Sequence, residues 1–190
     1  MSEMSDQPSP GRLFALIVIG FGFLALGVAF MFKPGGFVPA PTRDFSTIPV
    51  EVNLPAPTLF LASLDGSPVS LSDYSGDVIL VNLWATWCPP CREEMPALLA
   101  FYEKYRSEGF ILIAIDQGET SEEVVPFVAE FGLSFPVWLD PSSEAGRAFN
   151  TMNLPSSYVI DRSGRIRLMW VGGISKSNLE KYVPDIIAEN

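Results

Sequence analysis

Residues 83–96 read LWATWCPPCREEMP, and they contain both cysteines of the chain, Cys88 and Cys91. They overlap the end of residues 77–84 (DVILVNLW), an apolar run typical of a buried strand, and they continue into the apolar spacing of a helix. Open α/β sheets collect their chemistry at the carboxyl ends of strands, where the two cysteines are predicted to lie. Three interpretations are open: half of a metal site, a structural staple, or a disulfide that opens and closes.

Composition weakens the first two interpretations. Structural zinc takes four ligands, whereas this chain has two cysteines and no histidine, so a metal site is the least favoured interpretation and would need carboxylate ligands or a second chain. The lack of histidine also excludes Ser-His-Asp and Cys-His catalysis. A disulfide across a four-residue loop restricts the unfolded chain by only about 2 kcal/mol, against about 4.7 kcal/mol for a 100-residue loop. A reversible pair is therefore the favoured interpretation.

The predicted helix start gives the two sulfurs different roles. Free N–H groups and the positive end of the helix dipole stabilise a thiolate there, so Cys88 is predicted to be the nucleophile. Cys91 lies one turn further along and is predicted to be the resolving thiol. Pro89 and Pro90 suit a first helical turn, which needs no N–H donors. Because no charge separates the cysteines, a reductant or mild exchanger is favoured over a strong oxidant.

The remainder of the chain from residue 58 predicts one α/β domain. The predicted elements are a hairpin around Asp65-Gly66, a helix from Pro89 to about Ser107, a strand over 110–116, a helix over 121–132 capped by Ser121, a short strand over 135–140, a short helix over 142–150, two strands over 156–171 that turn at 162–164, and a last helix from near Ser175. Alternation of strands and helices followed by a hairpin and a helix indicates a mixed central sheet flanked by helices.

The N-terminal part predicts a membrane anchor. After a short tail, 1–12, residues 13–32 contain no charge and would span about 30 Å as a helix, the thickness of a bilayer core. A cleaved signal peptide is less favoured, because its apolar region is usually about 7 to 15 residues and ends in small residues. Residues 33–57 contain six prolines and are predicted to be a tether. The domain, 58–190, is placed outside the cytoplasm.

Charge restricts the partners of the chain. Its net charge is −10 at pH 7, with a pI near 4.4, which disfavours nucleic acid because phosphate contacts need clustered Lys and Arg. The content of hydrophobic residues, 48%, supplies enough apolar material for a folded core. A folded, acidic domain that does not bind nucleic acid is predicted.

The motifs resemble those of a known group. Residues 82–96 (NLWATWCPPCREEMP), 135–149 (FPVWLDPSSEAGRAF) and 153–166 (NLPSSYVIDRSGRI) resemble the thioredoxin superfamily, specifically its membrane-anchored TlpA/ResA/DsbE (CcmG)-like branch. The similarity covers roughly residues 56–190. It implies a thioredoxin-like fold preceded by a single N-terminal transmembrane helix.

The resemblance also implies site residues. Pro155 would be a cis-proline that faces the disulfide and helps to bind extended substrate backbone. Glu94 matches an acidic position near the active site, so it would tune thiol pKa or pass a proton; a solvated carboxylate is the alternative. Trp87 would offer apolar surface to a partner, whereas Trp84 is assigned to the core. Asn82 stands where thioredoxins proper carry a buried aspartate, and it is interpreted as a satisfied polar group near the sheet.

The sequence thus predicts a membrane-anchored thiol-disulfide oxidoreductase that needs no bound cofactor and works in the periplasm or an equivalent space. The resemblance suggests apocytochrome c as the substrate and a CcdA- or DsbD-like membrane protein as the electron donor. One alternative is a tethered, redox-responsive binding or sensor module. A peroxiredoxin-like thiol peroxidase is less favoured, because Thr86 lies two residues rather than three before Cys88 and Val81 replaces a supporting proline.

Overall fold

The computed structural model describes residues 48–189, which fold around one sheet. Its strands are β1 (Val50–Pro55), β2 (Phe60–Ser63), β3 (Pro68–Ser70), β4 (Val78–Trp84), β5 (Phe110–Gln117), β6 (Val137–Asp140), β7 (Ser156–Ile160) and β8 (Arg165–Val171). They are ordered β1-β8-β7-β4-β5-β6-β2-β3. The central strands β4, β5 and β6 run parallel, and every other pairing is antiparallel. The predicted mixed sheet is confirmed.

Helices cover both faces of the sheet. They are α1 (Pro89–Tyr105), α2 (Ser121–Phe131), α3 (Glu144–Ala148), α4 (Lys176–Tyr182) and α5 (Pro184–Ala188), with short 3-10 helices at Leu71–Tyr74 and Arg106–Glu108. The single helix predicted from Ser175 is two helices, since Pro184 has no N–H to continue α4. The predicted cap of α2 is also wrong by one residue: Thr120 is the cap, and its N–H donates to the Glu123 carboxylate at 2.8 Å.

Alternation along β4 divides the core into two layers. Leu80 and Trp84 belong to the layer that contains the apolar side chains of α1, α2, α4 and α5. Ile79, Val81 and Leu83 belong to the opposite layer, which includes Trp138 and Tyr158. Successive side chains of a strand point to opposite faces, so Asn82 shares the face of Leu80 and Trp84 and points towards α1.

The first strand corrects the predicted boundary of the domain. Residues 50–55 lie in the segment predicted to be a tether, yet they form β1 and pair antiparallel with β8 at the edge of the sheet. Their side chains are mostly exposed, so they carry little of the apolar pattern by which a strand is recognised. The folded domain therefore includes Val50 and does not begin at residue 58.

The predicted membrane anchor, residues 13–32, lies outside the described residues. Within residues 48–189, no helix is both long enough and apolar enough to cross a membrane. What the fold does establish is the position of the two cysteines. They follow the carboxyl end of β4, between its parallel neighbour β5 and its antiparallel neighbour β7.

Candidate active site

The two cysteines form a disulfide at the start of α1. Their Cα atoms are 5.3 Å apart. Cys88 is the N-cap of the helix with extended backbone, and its carbonyl accepts the first helical hydrogen bond from the N–H of Arg92 at 3.1 Å. The N–H of Cys88 in turn donates to the carbonyl of Ala85 at 3.2 Å. The helix start thus lies where the sequence predicts it, and a Cys88 thiolate would lie at the positive end of the helix dipole. Because Pro89 and Pro90 have no N–H, the first N–H of the helix is that of Cys91.

Of the two cysteines, only Cys88 reaches the surface of the described fold. Cys88 is 3% exposed and Cys91 is fully buried. Cys88 lines a surface groove of about 440 Å³, and Cys91 is not part of its lining. Trp87, 67% exposed, and Met152, 92% exposed, present apolar surface at this groove. A partner can therefore approach the sulfur of Cys88 but not that of Cys91.

The loop before Pro155 forms another wall of the groove. The Leu154–Pro155 peptide bond is cis. Residues 151–154 line the groove, whereas Pro155 itself is buried and its carbonyl accepts a hydrogen bond from the N–H of Gly172 at 2.8 Å. The role of Pro155 in binding substrate backbone stays a prediction.

Glu94 is a buried acid beneath the disulfide helix. It is 3% exposed, and it accepts hydrogen bonds from Asn82 Nδ2 and from the N–H of Ile174, both at 2.8 Å. The alternative of a solvated carboxylate is therefore wrong. Burial raises the pKa of Glu94 to about 8, although both hydrogen bonds favour the charged form. The carboxyl group is mostly protonated at neutral pH in this disulfide form.

Asn82 is only half satisfied. Its Nδ2 donates to Glu94 and also to Ser157 Oγ at 2.9 Å, which connects β4 with α1 and β7. Its Oδ1 is buried and has no hydrogen-bond partner within residues 48–189. The sequence interpretation of a satisfied polar group is thus incomplete, and Asn82 is the link between Glu94 and the strand that follows Pro155.

A pair of acidic residues lies beside the turn that leads into Cys88, and sequence reasoning missed it. Asp116 ends the predicted strand over 110–116 and is fully buried, and Glu119 is 7% exposed. The N–H of Glu119 donates to Asp116 Oδ1 at 3.0 Å, and both oxygens of Glu119 accept hydrogen bonds from Thr86. Two acids at the carboxyl end of a strand parallel to β4 were the signal available in the sequence.

Acidic and thiol side chains are scattered over the described part of the fold. Within residues 48–189, no group of three or more cysteine, aspartate or glutamate side chains lies close enough together to hold a metal ion. The site described so far contains a thiol pair, the buried acids Glu94, Asp116 and Glu119, and an apolar groove. That set is suited to exchange between dithiols and disulfides.

Comparisons with known proteins agree with this chemistry. Residues 52–169 match the AhpC/TSA family. The chain is 35% identical over 137 residues to the thiol-disulfide oxidoreductase ResA of Bacillus thuringiensis subsp. konkukian, which covers 72% of this chain and 79% of the relative. It resembles the crystal structure of a thiol:disulfide interchange protein, DsbE, from Chlorobium tepidum with a TM-score of 0.68 and 29% identity, over 75% of this chain and 100% of that one.

A further solved structure is similar to this chain. A thiol:disulfide interchange protein of the thioredoxin family from Chlorobium tepidum TLS has a TM-score of 0.66 and 32% identity, over 73% of this chain and 99% of that one. The predicted thioredoxin-like fold is therefore confirmed for the described part of the chain. The chain belongs to the thioredoxin-like AhpC/TSA family and is a thiol-disulfide oxidoreductase of the ResA/DsbE type.

Proposed function

We propose that the chain is a membrane-anchored reductant of protein disulfides outside the cytoplasm. In the dithiol form, the Cys88 thiolate attacks a substrate disulfide; a new S–S bond forms, and the displaced substrate sulfur leaves as a thiolate. Cys91 then attacks the Cys88 sulfur, which closes the Cys88–Cys91 disulfide and releases the second substrate sulfur. Two electrons pass to the substrate, and a donor dithiol restores the enzyme by the reverse sequence.

The observation that supports this order most strongly is the unequal access of the two sulfurs. Cys88 lines the groove, whereas Cys91 is fully buried behind it. An incoming substrate meets Cys88 first, and Cys91 can react only with a sulfur already joined to Cys88. This arrangement supports one nucleophile and one resolving thiol.

Glu94 fits the proton transfers of the same cycle. It follows Cys91 by one helical turn, so the two side chains lie on the same face of α1. When a donor opens the disulfide, Cys91 leaves as a thiolate and can take the proton that Glu94 holds at neutral pH. When Cys91 attacks, the Glu94 carboxylate can accept that proton back.

For the substrate, we propose an apocytochrome c, whose haem-attachment cysteines must be reduced before ligation. The support is the resemblance to the ResA/DsbE type, together with a groove whose lining contains no charged side chain. Residues 13–32 would hold the protein in the membrane, where a CcdA- or DsbD-like partner would supply electrons.

A trapping experiment tests the proposed order. Cys91→Ser is expected to accumulate a mixed disulfide with an oxidised peptide that contains a Cys-x-x-Cys-His haem-attachment sequence. Cys88→Ser is the matched control and is expected to form none, since its remaining thiol is buried. Equal trapping by both variants would contradict the assignment of roles.

Catalytic turnover of an oxidised peptide distinguishes the proposed oxidoreductase from a redox-responsive sensor. With excess reductant, the wild-type chain is expected to reduce the oxidised peptide over many cycles. A protein whose cysteines are reducible but which gives no turnover with this peptide or with insulin would be a redox-responsive binding module instead.

The compartment is tested in intact cells. A membrane-impermeant alkylating agent is expected to label the reduced wild-type chain without lysis, and Cys88→Ser is expected to label poorly. Labelling of the wild type only after lysis would place the domain on the cytoplasmic side and remove this part of the proposal.

The peroxidase alternative gains no support from the site. The hydroxyl of Thr86 donates to Glu119 Oε1 at 2.5 Å and is therefore committed to a carboxylate. Val81, at the position where the related peroxidases carry a supporting proline, is a buried residue of β4. Rapid consumption of hydrogen peroxide by the reduced chain would overturn this ranking.

A further inference from the structure

Two buried carboxyl groups outside the proposed cycle lie beside the turn that leads into Cys88. Asp116 of β5 pairs in parallel register with Trp84 of β4, and Glu119 follows in the loop that leads to α2. Both side chains are buried, with exposed fractions of 0% and 7%. The N–H of Glu119 donates to Asp116 Oδ1 at 3.0 Å, so the two residues are fixed relative to each other.

Glu119 holds the turn through both of its oxygens. Oε2 accepts the backbone N–H of Thr86 and Oε1 accepts its hydroxyl, each at 2.5 Å. Thr86 lies inside the turn that Cys88 closes by donating its own N–H to the carbonyl of Ala85. The carboxylate of Glu119 therefore fixes the middle of the turn, and α1 fixes its end.

One carboxyl oxygen of Asp116 lacks a hydrogen-bond partner among the described residues. Its Oδ2 is buried and has no hydrogen-bond partner within residues 48–189. Burying an ionised carboxylate with an unpaired oxygen costs free energy. Two adjacent buried carboxyl groups also repel each other when both are ionised, which favours a proton on one of them. A proton on Asp116 removes both costs, because a protonated carboxyl can donate to Glu119. Burial raises the pKa of Asp116 to about 8, and the adjacent side chain of Glu119 and its charge act in the same direction, whereas the hydrogen bond from the N–H of Glu119 acts against them.

The charged side chains on the neighbouring elements are hydrogen-bonded, paired or exposed. They are Glu122 and Glu123 at the start of α2, Asp140 at the end of β6, and Arg92 of α1. Glu122 is exposed. Glu123 accepts from Thr120, Asp140 accepts from the main chain of α3, and Arg92 is paired with Glu130. Among the described residues, no cation forms an ion pair with Asp116 or Glu119, so a proton is the charge that remains available.

We propose that Asp116 and Glu119 share one proton and act as positioning residues, which hold the Thr86 turn, and with it Cys88, in the orientation used for disulfide exchange. Loss of the proton leaves two carboxylates side by side. Asp116 is fixed in the sheet, so Glu119 moves and its bonds to Thr86 weaken. The positioning part of this inference rests on the proposed function, whereas the shared proton does not.

The shared proton is tested on the full, isotopically labelled chain in its disulfide form, with no turnover required. The carboxyl carbon resonance of Asp116 is expected to titrate well above the ordinary value of about 4, and the amide proton of Thr86 is expected to shift with the same midpoint. Titration of Asp116 near 4, or a Thr86 amide that does not respond, overturns the inference even if disulfide exchange proceeds normally.

Variants test the positioning role. Asp116→Asn is expected to remove the pH response of the Thr86 amide, and Glu119→Gln is expected to lower kcat/KM for the oxidised peptide about tenfold, which corresponds to about 1.4 kcal/mol. Glu122→Gln makes the same change of charge at an exposed position of α2 and is expected to change neither.

The pH profile separates positioning from simple support of the fold. Wild-type kcat/KM is expected to decline above the midpoint of the Thr86 titration, and Asp116→Asn is expected to lack that decline. Identical profiles for the two proteins would overturn the positioning role.

Discussion

The side chains of Trp87 and Phe60 have the same exposed fraction, 67%, but they lie in different parts of the fold. Trp87 lines the groove next to Cys88, whereas Phe60 begins β2, on the side of the sheet away from β7. Trp87→Ala is expected to change the free energy of unfolding by no more than about 0.5 kcal/mol, because an exposed side chain loses little packing. It is also expected to raise KM for the oxidised peptide severalfold, since a partner loses apolar surface.

Phe60→Ala is the matched control for that prediction. It removes an equally exposed aromatic ring and is expected to leave KM unchanged. Steady-state kinetics and urea unfolding of both variants provide the test. A similar rise in KM for both would mean that Trp87 has no special part in substrate binding.

Glu94 and Glu93 allow a second comparison at the residue scale. Glu93 is exposed, whereas Glu94 is buried among donors from Asn82 and Ile174. Glu94→Gln cannot exchange a proton, so the resolving step is expected to slow by about ten- to a hundredfold and the mixed disulfide at Cys88 to accumulate. Glu93→Gln is expected to resolve at the wild-type rate, as measured by quenching the reaction and separating the species without reductant. Unchanged resolution in Glu94→Gln would remove Glu94 from the proton transfers.

The burial of Glu94 shows where sequence reasoning reaches its limit. Spacing along α1 assigns position 94 to a polar face, because Glu93 and Glu94 are adjacent charged residues in a predicted helix. Its donors come from Asn82 and from Ile174, which is 80 residues away in sequence. Contacts between such distant positions have no local signature. Only the resemblance to a known group identified Glu94 as a candidate.

At the scale of elements, Arg162 links several main-chain segments by hydrogen bonds at the end of the sheet away from the cysteines. It lies in the turn between β7 and β8, where the sequence predicts nothing beyond a turn. Its guanidinium donates to the main-chain carbonyls of Gly76, Glu108, Ile187 and Glu189 at 2.9 to 3.0 Å. Because β7 is antiparallel to β4, this turn is at the end of the sheet opposite Cys88.

Arg162→Lys keeps the charge and loses the planar fork, which serves several carbonyls at once. The free energy of unfolding is expected to fall by about 2 kcal/mol or more, while the rate of thiol exchange at 25 °C stays unchanged. Arg106→Lys is the control, because the side chain of Arg106 forms an exposed ion pair with Glu103, and such pairs contribute about 1 kcal/mol or less. Urea unfolding compares the two variants. Equal stability of Arg162→Lys and wild type would show that water replaces these bonds without cost.

Elements whose apolar residues recur at a clear helical or strand period were predictable from the sequence, and elements without such a pattern were not. The buried strand β4 and the long helix α1 follow directly from apolar spacing, and Gly132 ends α2 in a left-handed conformation with φ of 61°. β1 is different, since its side chains are mostly exposed and its stability comes from main-chain pairing with β8. Prolines at both of its ends gave it the composition of a linker.

At the scale of the whole molecule, the formal charge of −10 counts every Asp and Glu as ionised and is therefore more negative than the charge of the folded chain at pH 7. Glu94 and Asp116 are both buried, and burial raises the pKa of each to about 8, so both are mostly neutral at pH 7. In the unfolded chain both are ionised. The exposed carboxyl of Asp65 behaves in the opposite way: hydrogen bonds from Ser63 and Ser67 lower its pKa to about 2.

These two classes of acid set the dependence of stability on pH. Where the native state binds more protons than the unfolded state, stability decreases as pH rises. The contribution of Glu94 and Asp116 is fully present below their unfolded pKa values of about 4 and is lost as pH rises towards 8. Acids with a lowered pKa, such as Asp65, stabilise above their unfolded value and lose that effect as pH falls. Maximum stability of the disulfide form is therefore expected near pH 4 to 5.

Unfolding at pH 7 is accordingly expected to release between one and two protons, with stability falling by about 1 to 3 kcal/mol per pH unit between pH 5 and 7. Calorimetry in buffers of different ionisation enthalpy counts the protons, and urea unfolding at a series of pH values gives the slope. The double variant Glu94→Gln/Asp116→Asn cannot bind these protons, so its release is expected to approach zero and its slope to flatten. Stability that stays constant or rises from pH 5 to 7 in the wild type would mean that neither acid holds a proton in the folded protein, because the unfolded chain already ionises both groups over most of this range.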